Sequence, residues 1–252
     1  MVEFWDTHCH LTEEPLWSDL DQVLERSRGA SVTAIVIPAY DVASWSRVAT
    51  LGRTRGLYPA FGVHPWVADQ PFAADELAAR LRTERAVAVG EIGLDFALDR
   101  FDRQQQIGLL RQQLAIAADL DLPVLLHCRR AFDDLQALLR PFAPRLRGVL
   151  HAFSRGIKLA RQFSALGLHI AFGGAITRPN ARARQAAAAL PLDRILLETD
   201  APSIGLADVP PEKVEPAHVA AIARQLATLR GADLEAIAKA TTDNARQLFR
   251  ID

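Results

Sequence analysis

Two histidines near the start of the chain, His8 and His10, are separated by one residue and follow a short apolar run. In a β-strand alternate side chains point to the same face, so both imidazoles would lie on one side with Cα atoms roughly 7 Å apart. Imidazole is the commonest protein ligand for metals such as zinc, and a catalytic site takes further ligands from elsewhere in the chain. The pair therefore predicts a metal site completed by residues from other strands.

Other residues of metal-binding type stand at the ends of further predicted strands. Five of the seven histidines do so, together with Glu91 and the run Glu198-Thr199-Asp200. These histidines are His8, His10, His64, His127 and His151. A single histidine in an apolar strand is usually a hydrogen-bonded core residue, but chance would scatter a set of this size over helices and loops. The set predicts one shared site, and the other two histidines, His169 and His218, are interpreted as structural.

Eight apolar, β-rich runs could position these residues. They span 2–7, 34–39, 58–63, 86–92, 123–126, 148–150 with an extension to 153, 168–172 and 194–198. Helical patterns cover 16–28, 43–55, 74–83, 101–120, 131–139, 157–166, 181–189, 216–230 and 234–248. This alternation over 252 residues predicts an α/β fold, a parallel (β/α)8 or TIM barrel with its site at the carboxyl ends of the strands. An open, doubly wound parallel sheet is the alternative.

Composition limits the class of protein further. Residues 1–252 are expected to form a single domain because no segment resembles a flexible linker, and the Pro-rich segment 202–216 is interpreted as an active-site loop. The net charge of −1 differs from the strongly basic charge that is typical of a sequence-reading DNA-binding domain. Without a signal peptide or membrane span, a cytoplasmic location is expected. Cys9 and Cys128 are expected to be unpaired thiols turned away from the site.

The donor set is too large for one four-coordinate ion. Four histidines, one glutamate and one aspartate suit two divalent ions about 3.5 to 4 Å apart that share a carboxylate and activate a water molecule for hydrolysis. Glu91 is the candidate bridge, because the three lysines of the chain all lie outside the predicted strand ends. Such a site accepts zinc, magnesium or manganese, and the sequence does not select among them.

Six motifs in order resemble those of the TatD family of metal-dependent hydrolases, which are amidohydrolase-like barrels. They are Asp6-Thr7-His8-Cys9-His10-Leu11, Gly62-Val63-His64-Pro65, Gly90-Glu91-Ile92-Gly93-Leu94-Asp95, His127-Cys128-Arg129, His151-Ala152-Phe153-Ser154 and Leu197-Glu198-Thr199-Asp200-Ala201-Pro202. The tail 242–249 also resembles the last helix of the family. The resemblance implies divalent metals held by the residues matching His8, His10, Glu91, His127, His151 and Asp200. It also implies hydrolysis of DNA phosphodiester bonds by a deoxyribonuclease, with exonucleolytic cleavage as one mode.

Two segments depart from the family pattern. Arg155 stands where the family usually has glycine, and residues 210–214 replace an expected Arg- and Asn-rich segment. Both lie in loops over the expected site, so they bear on the substrate rather than on the metals.

The remaining polar residues near strand ends receive supporting roles. Asp200 is expected to accept a proton from the attacking water as well as bind metal. His64 would contact either a ligand or the substrate. Asp6 would orient a loop or a ligand histidine, and Asp95 and Glu198 would support the backbone or the ligands. Four arginines could meet phosphate oxygens: Arg129, Arg130, Arg155 and Arg178.

The expected partner is DNA or another phosphodiester, with no protein partner or membrane indicated. The alternative function is hydrolysis of a small amide, lactone or phosphoester by the same metal centre. A purely structural metal anchor is a weaker alternative, because structural sites are usually closed tetrahedra and these residues come from several strand ends.

Overall fold

Strands and helices alternate along the chain, as the alternation of apolar β-rich runs and helical patterns in the sequence predicts. The structure, a computed structural model, describes residues 2–70, 72–97, 102–143 and 145–251. The strands are β1 (Phe4–Asp6), β2 (Val32–Pro38), β3 (Leu57–Phe61), β4 (Ala88–Asp95), β5 (Val124–Arg129), β6 (Gly148–Leu150), β7 (Leu168–Phe172) and β8 (Ile195–Leu197). The helices of the described ranges are α1 (Leu20–Gly29), α2 (Trp45–Leu51), α3 (Ala74–Thr83), α4 (Arg103–Asp119), α5 (Phe132–Leu139), α6 (Ile157–Ala165), α7 (Ala183–Ala189), α8 (Val219–Arg230) and α9 (Leu234–Phe249). The predicted helix start at residue 101 lies outside the described residues.

The strands form one sheet in chain order, and every neighbouring pair from β1 to β8 is parallel. The last strand returns beside the first. The N–H of Thr7 donates to the carbonyl of Leu197 at 3.0 Å, and the N–H of Asp200 donates to the carbonyl of His8 at 2.9 Å. These bonds bring the two edges of the sheet together. The predicted (β/α)8 barrel is confirmed, and the doubly wound open sheet is wrong.

Small side chains fill much of the inside of the barrel. Ala34, Ala60, Ala88 and Ala171 belong to one buried cluster built mainly from strand residues. Neighbouring strand residues such as Ile35 belong to a larger cluster that includes the helices. Alternate strand residues face opposite sides of a sheet, so the first cluster forms the interior and the second lies beneath the helices.

Two strands at the site are longer than predicted. β4 ends at Asp95 and β5 at Arg129, each three residues beyond the predicted end. The extensions pair with each other, Gly93 with His127 and Asp95 with Arg129. The apolar pattern stops earlier than the backbone pairing because polar residues continue both strands. His127 therefore lies within β5 rather than after it.

The sixth strand is shorter than its predicted extension. β6 ends at Leu150 rather than at residue 153. Ala152 has a φ of 49°, which takes the backbone out of the extended region. The extension was wrong because the chain turns immediately after His151, at the rim of the barrel.

Candidate metal centre

Glu91 lies at the centre of the candidate site, on β4, with 2 % of its surface exposed. Its Oε2 is 3.3 Å from His8 Nε2 and 3.4 Å from His10 Nε2. Its Oε1 is 2.8 Å from His151 Nε2 and 3.1 Å from His127 Nδ1. Each oxygen thus faces its own pair of ring nitrogens. The two oxygens of this carboxylate therefore serve two separate groups of nitrogen donors.

The first donor group combines the end of β1 with the residue that follows β8. His8 Nε2 and His10 Nε2 are 3.2 Å apart. Asp200 Oδ1 is 3.5 Å from the ring nitrogen of His10 and 3.8 Å from that of His8. Ligands at about 2.1 Å from one ion, at angles between 90° and the tetrahedral value, lie roughly 3.0 to 3.4 Å apart. The group therefore fits an ion with little adjustment.

The second donor group comes from β5 and the end of β6. His127 Nδ1 and His151 Nε2 are 3.3 Å apart, again within the spacing of two ligands on one ion. The unused Nε2 of His127 is 3.1 Å from Asp95 Oδ2. That carboxylate holds the ring proton on Nε2, which leaves the lone pair of Nδ1 facing Glu91. Asp95 thus supports a ligand candidate, as expected, by holding Nε2 of His127.

Asp95 is itself held as an anion by several donors. The indole N–H of Trp66 donates to Oδ2 at 2.7 Å, and the backbone N–H of Ala97 donates to Oδ1 at 2.9 Å. Burial alone would raise the pKa of Asp95, but these bonds and the one from His127 lower it to about 2. The carboxylate therefore stays charged across the neutral range.

We expect Asp95→Asn to weaken divalent-metal affinity by about 10- to 100-fold, because the neutral amide no longer fixes the His127 proton. Calorimetric titration with zinc and with manganese measures the change. Asp102→Asn is the matched control, since Asp102 caps α4 through the N–H of Gln105 at 2.7 Å and is exposed. Equal metal affinity in the two variants would remove this role for Asp95.

His64 contacts the bridging carboxylate from a third side. Its Nε2 is 3.4 Å from Glu91 Oε1, and its Nδ1 accepts the backbone N–H of Trp66 at 3.2 Å. A neutral imidazole that accepts at Nδ1 carries its proton on Nε2, so His64 donates to Glu91. Of the two roles expected from the sequence, this geometry favours contact with a ligand over contact with the substrate.

The other acidic residues join the loops that carry the donors. Asp6 accepts the N–H of His8 at 3.2 Å and the N–H and hydroxyl of Thr199 at 2.9 and 2.5 Å. Glu198 accepts the N–H of Ala152 at 2.5 Å. Burial raises the pKa of Asp6 to about 7 and that of Glu198 to about 8. Both residues therefore support the backbone around the donors, as expected.

The two central carboxylates stay ionised despite their burial. Burial alone would raise the pKa of Glu91, but the surrounding imidazoles, His151 foremost, lower it well below its ordinary value. Burial likewise opposes ionisation of Asp200, and the hydrogen bond from His10 with the nearby imidazole charges lowers its pKa. Two anionic carboxylates among nitrogen donors form a suitable environment for divalent cations.

A cleft of about 780 Å³ opens above these donors. Tyr40 and Trp66 form one part of its wall, each with its ring centroid 5.0 Å from that of His64. Phe132, at the start of α5, also lines the cleft. Sequence reasoning missed these aromatic residues. Trp66 follows the motif of His64 by two positions, but no periodicity distinguishes it from a core residue.

The four arginines named from the sequence separate into two pairs. Arg129 and Arg155 line the cleft. Arg130 is exposed and does not line it, and Arg178 donates to the carbonyl of Gly205 at 2.8 Å. Of these four arginines, Arg129 and Arg155 are therefore the two placed to contact a phosphate in the cleft.

The Pro-rich segment borders the cleft only at its start. Ser203 and Ile204 line the cleft, whereas Glu215 pairs with Arg26 of α1 at 2.8 Å. The expectation of an active-site loop over 202–216 is therefore wrong for its later part. The reason is the ion pair and the short 3₁₀ helix Pro216–His218, which hold that part against the outer helices.

Both cysteines are free thiols, as expected. Cys9 is buried, with its Sγ 3.7 Å from the carbonyl of Ala201. Cys128, however, is half-buried and lines the cleft, so its expected orientation away from the site was wrong. The strand ends one residue later and Arg130 has a φ of 55°, so strict alternation of faces does not hold at this rim.

The two histidines interpreted as structural lie outside the donor groups. His169 is buried in β7, and burial lowers its pKa to about 4. His218 accepts the N–H of Glu215 at 3.1 Å and so caps a short 3₁₀ helix. Neither residue lines the cleft.

Comparison with known proteins gives a consistent result along the whole chain. A family model described as TatD related DNase matches residues 5–250. The metal-dependent hydrolase YjjV of Escherichia coli is 38% identical over 259 residues, covering 100% of this chain and 99% of the relative. Its crystal structure has a TM-score of 0.92 at 37% identity, covering 99% of this chain and 98% of that one.

A further relative carries a more specific name. The 3'-5' ssDNA/RNA exonuclease TatD of Erwinia tasmaniensis is 36% identical over 260 residues, covering 98% of this chain and 100% of the relative. The metal-dependent hydrolase YabD of Bacillus subtilis is 33% identical over 256 residues, covering 98% of this chain and 99% of the relative. The similarity therefore extends over nearly the full length of this chain and of these relatives.

Proposed function

Because the chain belongs to the TatD family of metal-dependent hydrolases, we propose that it cleaves phosphodiester bonds in single-stranded nucleic acid, working from a strand end. The observation that supports this most is Glu91, which presents one oxygen to each of two donor groups. Two ions so held suit the hydrolysis of a phosphate ester, in which both the attacking and the leaving oxygen need stabilisation. The relative named as a 3'-5' ssDNA/RNA exonuclease supports the substrate and the polarity.

We assign the metal ligands as two sets that share Glu91. The first set is His8, His10, Asp200 and Glu91, and the second is Glu91, His127 and His151. Their donor separations match those of ligands on a common ion. When bound, divalent ions lower the pKa of a water molecule towards 7 and polarise the phosphoryl oxygens. Four imidazoles among the donors favour zinc or another transition metal over magnesium.

The protein's own groups then have distinct tasks in the reaction. Asp200, anionic and beside the first donor set, accepts the proton that the attacking water loses. His64 donates to Glu91 and keeps that carboxylate in place. Arg129, on the cleft wall, offers its guanidinium to phosphate oxygens, although it also lies 3.9 Å from Asp95.

The deciding experiment is a turnover assay of metal-reconstituted protein on single-stranded DNA, single-stranded RNA, duplex DNA and a panel of lactones, amides and small phosphoesters. We expect the single strands to be degraded fastest, because a cleft of this size admits an unpaired strand end rather than a duplex. Activity on the strands should fall steeply as salt rises, since bound phosphates displace counterions.

The same assay tests the alternative function. Efficient lactone or amide turnover without nucleic-acid cleavage would assign the chain to small-molecule hydrolysis by the same centre. Equal cleavage of single-stranded and duplex DNA would contradict the proposed preference for single strands but would still support nuclease activity.

Three expectations from the sequence stay predictions. They are a cytoplasmic location, the absence of a protein partner and the single domain over residues 1–252. Of the helices in the described residues, none has the length and apolar character needed to cross a bilayer.

A further inference from the structure

Arg155 is a cationic residue of the cleft wall. It follows His151 by four positions and occupies the place where the resemblance leads one to expect glycine. Four residues span at most about 14 Å of extended chain, so its backbone is close to the second donor group without belonging to it. A long cationic side chain therefore lines the cleft near the second donor group.

The guanidinium of Arg155 is held by an aromatic ring. Its Cζ lies 5.3 Å from the ring centroid of Phe132, and both residues line the cleft. Stacking on an aromatic face restricts a guanidinium to few orientations and leaves its edge available for hydrogen bonding. The side chain is thus oriented before any ligand arrives.

Within the described residues, no acceptor satisfies this side chain. Its Nε is buried without a hydrogen-bond partner among the described residues, and no carboxylate of those residues forms an ion pair with the guanidinium. Arg129, the other arginine of the cleft, has Asp95 at 3.9 Å and is 54% exposed. A buried donor without an acceptor is unfavourable, so the arrangement calls for an acceptor from outside the chain.

We propose that Arg155 binds the phosphate next to the scissile one, and so selects substrates that carry two successive phosphodiester groups. This inference rests on the proposed function. A planar fork of N–H donors matches phosphate oxygens in pairs, and the metal donors already surround the position of the scissile group. Ser154, exposed on the same wall, adds a hydroxyl that can donate to the same phosphate.

The first test compares a short single-stranded oligonucleotide with the same strand carrying an uncharged methylphosphonate at the linkage beside the cleaved one. For the unchanged protein we expect the neutral linkage to lower kcat/KM by about 10-fold or more, the scale of a lost charge-assisted hydrogen bond. Arg155→Gln should show the same loss on the normal strand and no further loss on the neutral one. Arg155→Lys, which keeps the charge without the fork, should fall between them.

Two controls separate substrate binding from a structural effect. Bis(4-nitrophenyl) phosphate has a single phosphate, so its turnover should be the same in Arg155→Gln and in the unchanged protein. Arg130→Gln removes an exposed charge outside the cleft and should leave both substrates unaffected. Equal losses on the strand and on the small ester, or additive losses from the variant and the neutral linkage, would overturn the inference.

Binding gives a readout that does not depend on turnover. Anisotropy of a fluorescent oligonucleotide with metal-free protein in EDTA should show a Kd raised by a similar factor in Arg155→Gln and a salt slope smaller by about one. If binding depends on Arg155 but the strand is not cleaved, the phosphate subsite is supported and the proposed nuclease activity is rejected. Strand cleavage that is insensitive to Arg155 would keep the nuclease and reject the subsite, and absence of both strand binding and strand cleavage would reject both.

Discussion

Glu91→Gln should lower kcat/KM by more than about 10²-fold and reduce the bound metal from the proposed two ions per chain towards one. Residues that only orient a metal ligand account for 10- to 100-fold in affinity or activity, and a shared ligand should exceed that range. The two oxygens of Glu91 face different donor groups, His8 and His10 on one side and His127 and His151 on the other. A glutamine keeps one oxygen and replaces the other with an NH₂ group that has no lone pair to offer, whichever way the amide turns.

Metal analysis of the purified variant together with steady-state kinetics checks this result. Glu13→Gln is the matched control, because Glu13 lines the same cleft, is exposed and is not among the donor groups. Circular dichroism should show the same fold in both variants, since the apolar core rather than the ions supplies most of the stability in a chain of this length. A Glu91→Gln protein that binds two ions at near-normal rates would contradict the bridging assignment.

Asp200→Asn should retain most of the metal while kcat falls by roughly 10²-fold or more, the scale of a lost general base. The amide keeps one oxygen donor near His10 but cannot accept the proton that the attacking water loses. Asp200 has a φ of 53°, a left-handed conformation that asparagine tolerates better than most residues, so the loop should keep its shape. The loss is therefore expected in chemistry rather than in folding.

Excess metal distinguishes the two roles of Asp200. If the carboxylate only bound an ion, saturating zinc or manganese would restore the rate of Asp200→Asn. Asp208→Asn is the matched control, since Asp208 is exposed in the loop that follows β8. A near-normal kcat in metal-saturated Asp200→Asn would end the proton-acceptor assignment and leave Glu91 or bulk solvent to receive the proton.

The sequence by itself determined the barrel and the identity of the clustered residues. Apolar runs and helical periods are local features, and they repeat eight times here because each βα unit must bury one face. The carboxyl ends of parallel strands lie at the same end of a barrel, so residues such as His8, Glu91 and Asp200 could be expected to meet without knowledge of any contact. Position along the strand was sufficient to set His169 apart, because it lies near the start of β7. The alternation of faces was not sufficient to place Cys128.

Only the tertiary structure decided how the atoms of the site are arranged. It divided the oxygens of Glu91 between two donor groups and oriented the His127 ring through its contact with Asp95. It also stacked Arg155 on Phe132, with no carboxylate partner among the residues that the structure describes. Side-chain torsions and imidazole tautomers depend on partners that are distant in sequence, and no local pattern records those partners. For the same reason the sequence could name four arginines but could not separate the two that reach the cleft from the two that do not.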